Sequence, residues 1–324
     1  MNIHESLLKD GSRNEAFFQA LKQVVNSESF VLDIGSGTGL WAIVAAKLGA
    51  KHVVAIEQEE LLIGLIRTLA HENGVADRVQ VVNARSNQLN VDTRFDVVIS
   101  ETIGHLVFDE DIVQIMIDAR ERFLKPGGVL IPQEVALVVA PAHLESNPKL
   151  PDRISAEFDY FESLILNVPV GLVDKQRLKI VGPTRDLVRV DLNTVTKSPN
   201  LTELGASWAN ADTDDVNSFA VWAEVELAPE VNIATTQTSS WSTTVYRIKP
   251  FTNKQGSLEF KLTLTEKTNY WSTTLANGQH QETQSYSPAL AATELLAQSR
   301  MNAAVFNQLK SFGLFEPAAK SAIT

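Results

Sequence analysis

The chain has no cysteine among its 324 residues. That absence excludes disulfides, thiol nucleophiles, thiolate zinc sites and iron–sulfur clusters, and it fits a reducing compartment. Long hydrophobic runs are also missing. No stretch approaches the roughly 20 apolar residues needed to span a bilayer, and the start, Met1-Asn2-Ile3-His4-Glu5, lacks a basic-then-apolar leader pattern. A cytoplasmic protein without membrane attachment is expected. Positive charge is scarce: 28 Lys and Arg face 39 Asp and Glu, a net charge of −11, and no local basic patch breaks the pattern. A nucleic-acid backbone would be repelled, whereas a cationic partner would be attracted. The six histidines are scattered, with no pair at the i, i+4 spacing that puts two ligands on one helical face, so no metal site is expected.

What is present suits two domains of ordinary size. Up to about residue 140, short apolar runs alternate with helical stretches. Phe30 to Ile34, His52 to Ile56, Arg78 to Val82 and Phe95 to Ser100 read as strands, and Leu40 to Leu48, Leu61 to Asn73 and Asp111 to Phe123 as helices. Leu124-Lys125-Pro126-Gly127-Gly128 should stop the last helix and turn the chain into a strand over Val129 to Ile131. This alternation predicts an open, doubly wound parallel sheet over 1–140. Composition shifts near Pro141. Leu187 to Val195, Ser218 to Leu227, Ser240 to Lys249 and Ser257 to Thr265 then alternate apolar and polar residues at period two, predicting a β-barrel or sandwich over 141–288 with one short helix near Ile154 to Leu166. The stretch 289–324 has helical spacing and is expected to be a helical extension.

The first candidate site is Val31-Leu32-Asp33-Ile34-Gly35-Ser36-Gly37-Thr38-Gly39, where the first strand meets the first helix of the alternating pattern. Glycines at alternate positions let the backbone turn tightly and approach a ligand that a Cβ would push away. Glu57 follows 18 residues after Gly39 at the end of the second strand, where a carboxylate can take both hydroxyls of an adenosine ribose. A dinucleotide usually requires G-x-G-x-x-G; here the third glycine comes one position earlier and Asp33 stands two before the first. The D-x-G-x-G-x-G form resembles motif I of class I methyltransferases, which implies S-adenosylmethionine (SAM) as cofactor and S-adenosylhomocysteine as product.

The second candidate is Ser100-Glu101-Thr102-Ile103-Gly104-His105-Leu106-Val107-Phe108-Asp109-Glu110, leaving the fourth strand at the edge where open α/β sheets bind ligands. Glu101 and Glu110 could face each other across a glycine-containing turn and hold a planar guanidinium by parallel charge-assisted hydrogen bonds. On spacing alone, a solvated loop acid and an acid favoured by a helix N-terminus are the preferred account of them. Ser100, Glu101, Gly104 and Glu110 resemble the double-glutamate loop S-E-x-x-G-x-x-x-x-x-E of the protein arginine methyltransferase family. Ile3-His4-Glu5-Ser6-Leu7-Leu8-Lys9-Asp10 resembles that family's I-H-E-x-M-L-K-D, Arg13 follows at its spacing, and Leu124 to Pro132 looks like its fifth-strand segment.

The resemblance covers residues 3 to about 140. It implies a Rossmann-like methyltransferase domain followed by a β-barrel. It further implies that Arg13 binds the SAM carboxylate, Asp33 and the loop of Gly35, Ser36, Gly37 and Gly39 the methionyl part, Glu57 the ribose, and Ser86 and Asn87 the adenine. Glu101 and Glu110 would then hold the target guanidinium, with His4, Asp10, His105, Ser240 and Trp241 around the acceptor. A cationic arginine-containing protein, peptide or small molecule is the expected partner.

Several positions depart from the family. Its T-H-W loop corresponds to Ser239-Ser240-Trp241, so Asp10 loses the charged partner that the histidine would supply. Asn87 and Gln88 stand where the family has acids, and Thr102 and Ile103 replace Trp and Met. The helix carrying Y-F-x-x-Y has no counterpart, so the cofactor lid is expected from elsewhere. The dimerisation arm is short, leaving a homodimer in question. Competing readings are methylation of another amine or a hydroxyl of a specialised metabolite, and a catalytically silent SAM-fold binding module.

Overall fold

The computed structural model describes residues 2–89, 93–104, 106–145, 159–265 and 268–292. It opens with α1 (Asn2–Lys9) and α2 (Gly11–Val24), then alternates β1 (Phe30–Ile34), α3 (Leu40–Lys47), β2 (His52–Glu57), α4 (Glu60–Glu72), β3 (Val79–Asn83), β4 (Phe95–Ser100), α5 (Ile112–Arg122) and β5 (Leu124–Ile131). The five strands form one parallel sheet in the order β3-β2-β1-β4-β5. Four of the five residues of β1 are buried, as expected for a strand covered on both faces. Strand order reverses between β1 and β4, so their carboxyl ends, the glycine loop and Ser100-Glu101, open into one crevice.

Leu124 to Gly128 behaves differently from the sequence expectation. Instead of a turn preceding a short strand, β5 already starts at Leu124: Leu124 pairs with Phe95 and Val129 with Val97, and the intervening residues bulge. Gly127 sits at φ +78, and a Cβ on Gly128 would come within 3.0 Å of the Asp96 carbonyl. Glycine is needed here to keep the strand paired past an insertion.

The antiparallel part comprises β6 (Glu134–Leu144), α6 (Asp159–Ile165), β7 (Val170–Leu172), β8 (Leu178–Ile180), β9 (Arg185–Asp191), β10 (Leu204–Asp212), β11 (Ser218–Ala228), β12 (Val231–Ala234), β13 (Thr243–Arg247), β14 (Gln255–Leu264), β15 (Asn269–Asn277) and β16 (His280–Tyr286). One sheet runs β7-β13-β11-β6-β8, with β12 on β11 and β9 on β6; the other runs β10-β14-β15-β16. Pro141, where composition shifts, lies inside β6. This strand pairs with β11 from Glu134↔Glu226 to Ala142↔Ser218 and is buried without a break from Val135 to Ala142. It therefore shows no period-two signal. A continuous apolar core joins the parallel sheet to both antiparallel sheets, where Phe219 stacks on Phe260 with ring centroids 4.5 Å apart. The extension expected from Ala289 lies outside the described residues beyond 292. No described helix is long and apolar enough to cross a membrane.

Candidate active site

A cavity of about 930 Å³ opens at the crevice between the ends of β1 and β4. Residues of α1, among them Ile3, His4 and Leu7, form one wall; the glycine loop and Glu57 form another, and Glu101, Glu110 and Trp241 line the far end. Of the residues expected from sequence, Arg13, Gly35, Ser36, Gly37, Glu57, Ser86, Asn87, Glu101, Glu110, His4, Ser240 and Trp241 all line this one space. His105 lies outside the described residues.

The glycine loop is built by backbone chemistry. Gly35, Gly37 and Gly39 all have positive φ, between +55 and +79. The amides of Gly35 and Ser36 both donate to the Ile56 carbonyl, fastening the loop to the end of β2. A Cβ on Gly37 would stand 3.4 Å from the His4 ring, so the bare backbone leaves room beside α1. Glu57 is buried, and its carboxylate accepts from the Gly37 amide at 2.8 Å through one oxygen and from the Gln58 and Glu59 amides through the other, at 2.7 and 2.9 Å.

Asp33, expected at the cofactor, does not line the cavity. Its Oδ2 accepts from the Ala42 amide in the first turn of α3, at 3.0 Å, behind the loop rather than in front of it. Burial pushes its pKa up to about 7; hydrogen bonds oppose the shift, and the charges of Glu57 and Glu101 add to it. Gly39 also stands back from the cavity: a Cβ there would meet Ile66 of α4 at 2.7 Å, so this glycine serves loop–helix packing.

Glu101 is the focus of the far end. Arg13 Nη1 stands 2.7 Å from its Oε2, and the Trp241 indole donates to its Oε1 at 3.2 Å. Burial pushes the Glu101 carboxyl above its ordinary value, Arg13 and the Trp241 N–H work against that, and Glu110 adds to it. The loop leaving β4 is anchored by Ser100 Oγ, which donates to the Ile34 carbonyl at 3.0 Å. It closes at Gly104, where a Cβ would overlap the Asp109 carboxylate. Arg13 is itself buried, lies 5.9 Å over the Trp41 ring, and donates from Nη2 to the Leu7 carbonyl and Asn14. Its Nε is buried without a hydrogen-bond partner.

Asp10 stands behind this group. It caps α2 by accepting from the Arg13 amide, and its other oxygen accepts from Ser239 N at 2.9 Å, Ser240 N at 2.8 Å and Ser240 Oγ at 2.6 Å. Burial works to raise its pKa, but the Ser240 hydroxyl and the three amides outweigh it, so the carboxyl lies below its ordinary value. Where the resembled family has a histidine, Asp10 here meets a hydroxyl and two amides.

Sequence reasoning missed three supports. Trp41 in the first turn of α3 stacks on Phe17, with centroids 5.0 Å apart, and lines the cavity. Arg122 at the end of α5 donates to the Ser86 and Leu89 carbonyls, each at 2.8 Å, and so holds the 3-10 turn Ser86–Gln88 in place. Lys175 donates into the loop before Trp241. Only Trp41, adjacent to the glycine motif, had a local sequence signal.

The fold is a Rossmann-like parallel sheet followed by an antiparallel β domain, the architecture of solved protein arginine methyltransferases. By sequence and architecture the chain resembles the protein arginine N-methyltransferases. It is 33% identical over 167 residues to probable protein arginine N-methyltransferase 6 of Arabidopsis thaliana, 51% of this chain and 37% of that protein. It is 28% identical over 234 residues to protein arginine N-methyltransferase 1 of Saccharomyces cerevisiae, 69% of this chain and 66% of the yeast one. The chain spans little more than a third of the length of the first plant relatives it matches. Residues 15–133 match the family model for ribosomal protein L11 methyltransferase. Among solved structures, the Trypanosoma brucei PRMT1 enzyme–prozyme complex with AdoHcy superposes with a TM-score of 0.72 at 20% identity, covering 88% of this chain and 97% of that one. Arabidopsis thaliana protein arginine methyltransferase 10 gives 0.70 at 21%, covering 87% and 96%. These likenesses speak to the fold.

Proposed function

We propose that the chain is a SAM-dependent N-methyltransferase whose acceptor is a guanidinium nitrogen of an arginine-containing protein, peptide or small molecule. The observation that carries this reading is the Arg13 guanidinium against Glu101 within the cavity, since this carboxylate is already placed to receive a group of that shape and charge.

The residues on the other wall fit the cofactor. The buried, unpartnered Arg13 Nε lacks an anionic acceptor, which a carboxylate would supply. Gly37, at φ +55, lines the cavity beside α1, and Glu57 presents oxygens at the end of β2, the place for ribose hydroxyls. Ser86 and Asn87 line the region beyond, suited to an adenine edge. When bound, SAM supplies an activated methyl on a sulfonium, displaced in line by the nitrogen lone pair as the carbon–sulfur electron pair returns to sulfur.

The protein's part is placement and charge. Glu101, fixed by Ser100, Trp241 and Arg13, and Glu110 across the loop hold the acceptor from its far side. They draw positive charge toward their oxygens and leave the attacking nitrogen richer in electron density. Attack on the methyl releases one N–H proton from that nitrogen to solvent, and its removal need not precede attack. An acidic surface with net charge −11 favours encounter with cationic acceptors. Incubation with methyl-labelled SAM and arginine-containing peptides tests the reading: label on arginine supports it, and label confined to other amines or hydroxyls, or SAM binding without transfer to any acceptor, overturns it.

A further inference from the structure

The turn from Thr235 to Trp241 is gripped by two groups of opposite charge, the buried Asp10 and the half-buried Lys175. From α2, Asp10 Oδ2 accepts the amides of Ser239 and Ser240 and the Ser240 hydroxyl. From the opposite side, Lys175 Nζ donates to the carbonyls of Thr235 at 2.5 Å, Thr238 at 2.6 Å and Trp241 at 2.9 Å. An ammonium has three protons, so the whole donor capacity of this lysine goes to one turn. Topology delivers it there: β7 pairs with β13 through Leu172↔Thr243, and Lys175 follows three residues after Leu172. Burial pushes the Lys175 pKa down while the Asp10 charge works to keep it up, so the two ends of the grip are electrostatically linked. Ser240 is neutral, and the cation of this cluster therefore acts on the backbone carbonyls.

Trp241 is the last residue of the turn. Its carbonyl is fixed by Lys175, and its indole N–H is the one that meets Glu101. We propose that Lys175 is a positioning residue for the acceptor site, clamping the 235–241 turn against Asp10 and thereby setting the Trp241 indole on Glu101. This rests on the reading of Glu101 as the carboxylate that holds a guanidinium. Among the described residues the hydrogen bonds of Lys175 all go to the 235–241 turn, so acceptor handling depends on this lysine and cofactor binding does not.

The test uses the full chain and the variants Lys175→Met and Lys175→Arg. Three quantities are measured: amide hydrogen exchange at Ser239 and Ser240, the SAM dissociation constant by calorimetry, and steady-state methylation of an arginine-containing peptide. For Lys175→Met, exchange at Ser239 and Ser240 accelerates by about tenfold or more while β11 amides stay protected, because the loss is local. Acceptor kcat/KM falls by about a hundredfold, as expected for a misplaced contact to a reacting group, with SAM affinity held within about threefold. Lys175→Arg, which keeps charge and donors, recovers part of the loss. If Lys175→Met does not fold, Lys175→Gln replaces it, and the order wild type, Arg, Gln in acceptor kcat/KM at constant SAM affinity is expected. Unchanged acceptor kinetics, or a fall in step with SAM affinity, overturns the proposal. Unchanged exchange at Ser239 and Ser240 overturns the clamp regardless of acceptor, whereas a wild-type enzyme that methylates no arginine overturns only the functional reading.

Discussion

Arg13 and Glu101 face each other at 2.7 Å inside the cavity, one carried by the first turn of α2 and the other by the carboxyl end of β4. The side chains are only 3% and 13% exposed, so each is the main compensation for the other's lost hydration. The same two residues border both halves of the cavity. A cofactor carboxylate approaching Arg13 Nε and an acceptor guanidinium approaching Glu101 would therefore meet one shared pair.

Removing one member of that pair leaves a buried charge uncompensated. Arg13→Met should lower unfolding free energy by about 3–5 kcal/mol, measured by urea denaturation. The double variant Arg13→Met/Glu101→Gln should recover a substantial part of the loss, because no bare carboxylate then remains. Additive losses in the two single variants would show that the contact is not energetically coupled.

Asp33 gives a pH signature of definite sign. Its native pKa of about 7 lies above the ordinary 3.8. Below the lower value both folded and unfolded chains hold the proton, and nothing is contributed. Between the two values the native state binds more protons than the unfolded chain, so stability falls as pH rises. Asp33→Asn lacks this term. Subtracting its unfolding free energy from that of the wild type should give a difference drifting downward by about 4 kcal/mol from pH ~4 to pH ~7. Parallel profiles for the two proteins would contradict the assignment.

Arg122 reaches from α5 to the turn over Ser86–Gln88 through two carbonyls. In Arg122→Met those carbonyls lose a charge-assisted donor, and SAM affinity should weaken by about tenfold. The acceptor KM at saturating SAM should stay within about twofold, because among the described residues the hydrogen bonds of Arg122 go to Asp118, Leu89 and Ser86 rather than to Glu101. An equal change in both would place Arg122 in the general framework instead.

The parallel half of the fold was legible because its signals are local. The apolar runs Phe30–Ile34 and His52–Glu57 end in glycine and glutamate at the sheet edge, and both site motifs sit at strand ends. The long strand Glu134–Leu144 was not legible, since burial on both faces erases the alternation that marks a strand. Asp33 was placed at the cofactor by its motif, whereas in three dimensions its carboxylate turns back to the Ala42 amide. The supports of the site are invisible in sequence for one shared reason: Lys175 to Trp241 and Arg122 to Ser86 are contacts across 66 and 36 residues made to backbone carbonyls, which carry no residue-type signature.

The central claim is that Glu101 holds the acceptor rather than the cofactor. Its most direct test is methyl transfer from labelled SAM to an arginine-containing peptide by Glu101→Gln, with SAM affinity measured on the same sample. The account predicts turnover reduced by about a hundredfold or more, consistent with the loss of a transition-state charge partner, with the SAM dissociation constant within about fivefold of wild type. Turnover close to wild type, or a loss of turnover explained entirely by lost SAM binding, would contradict it.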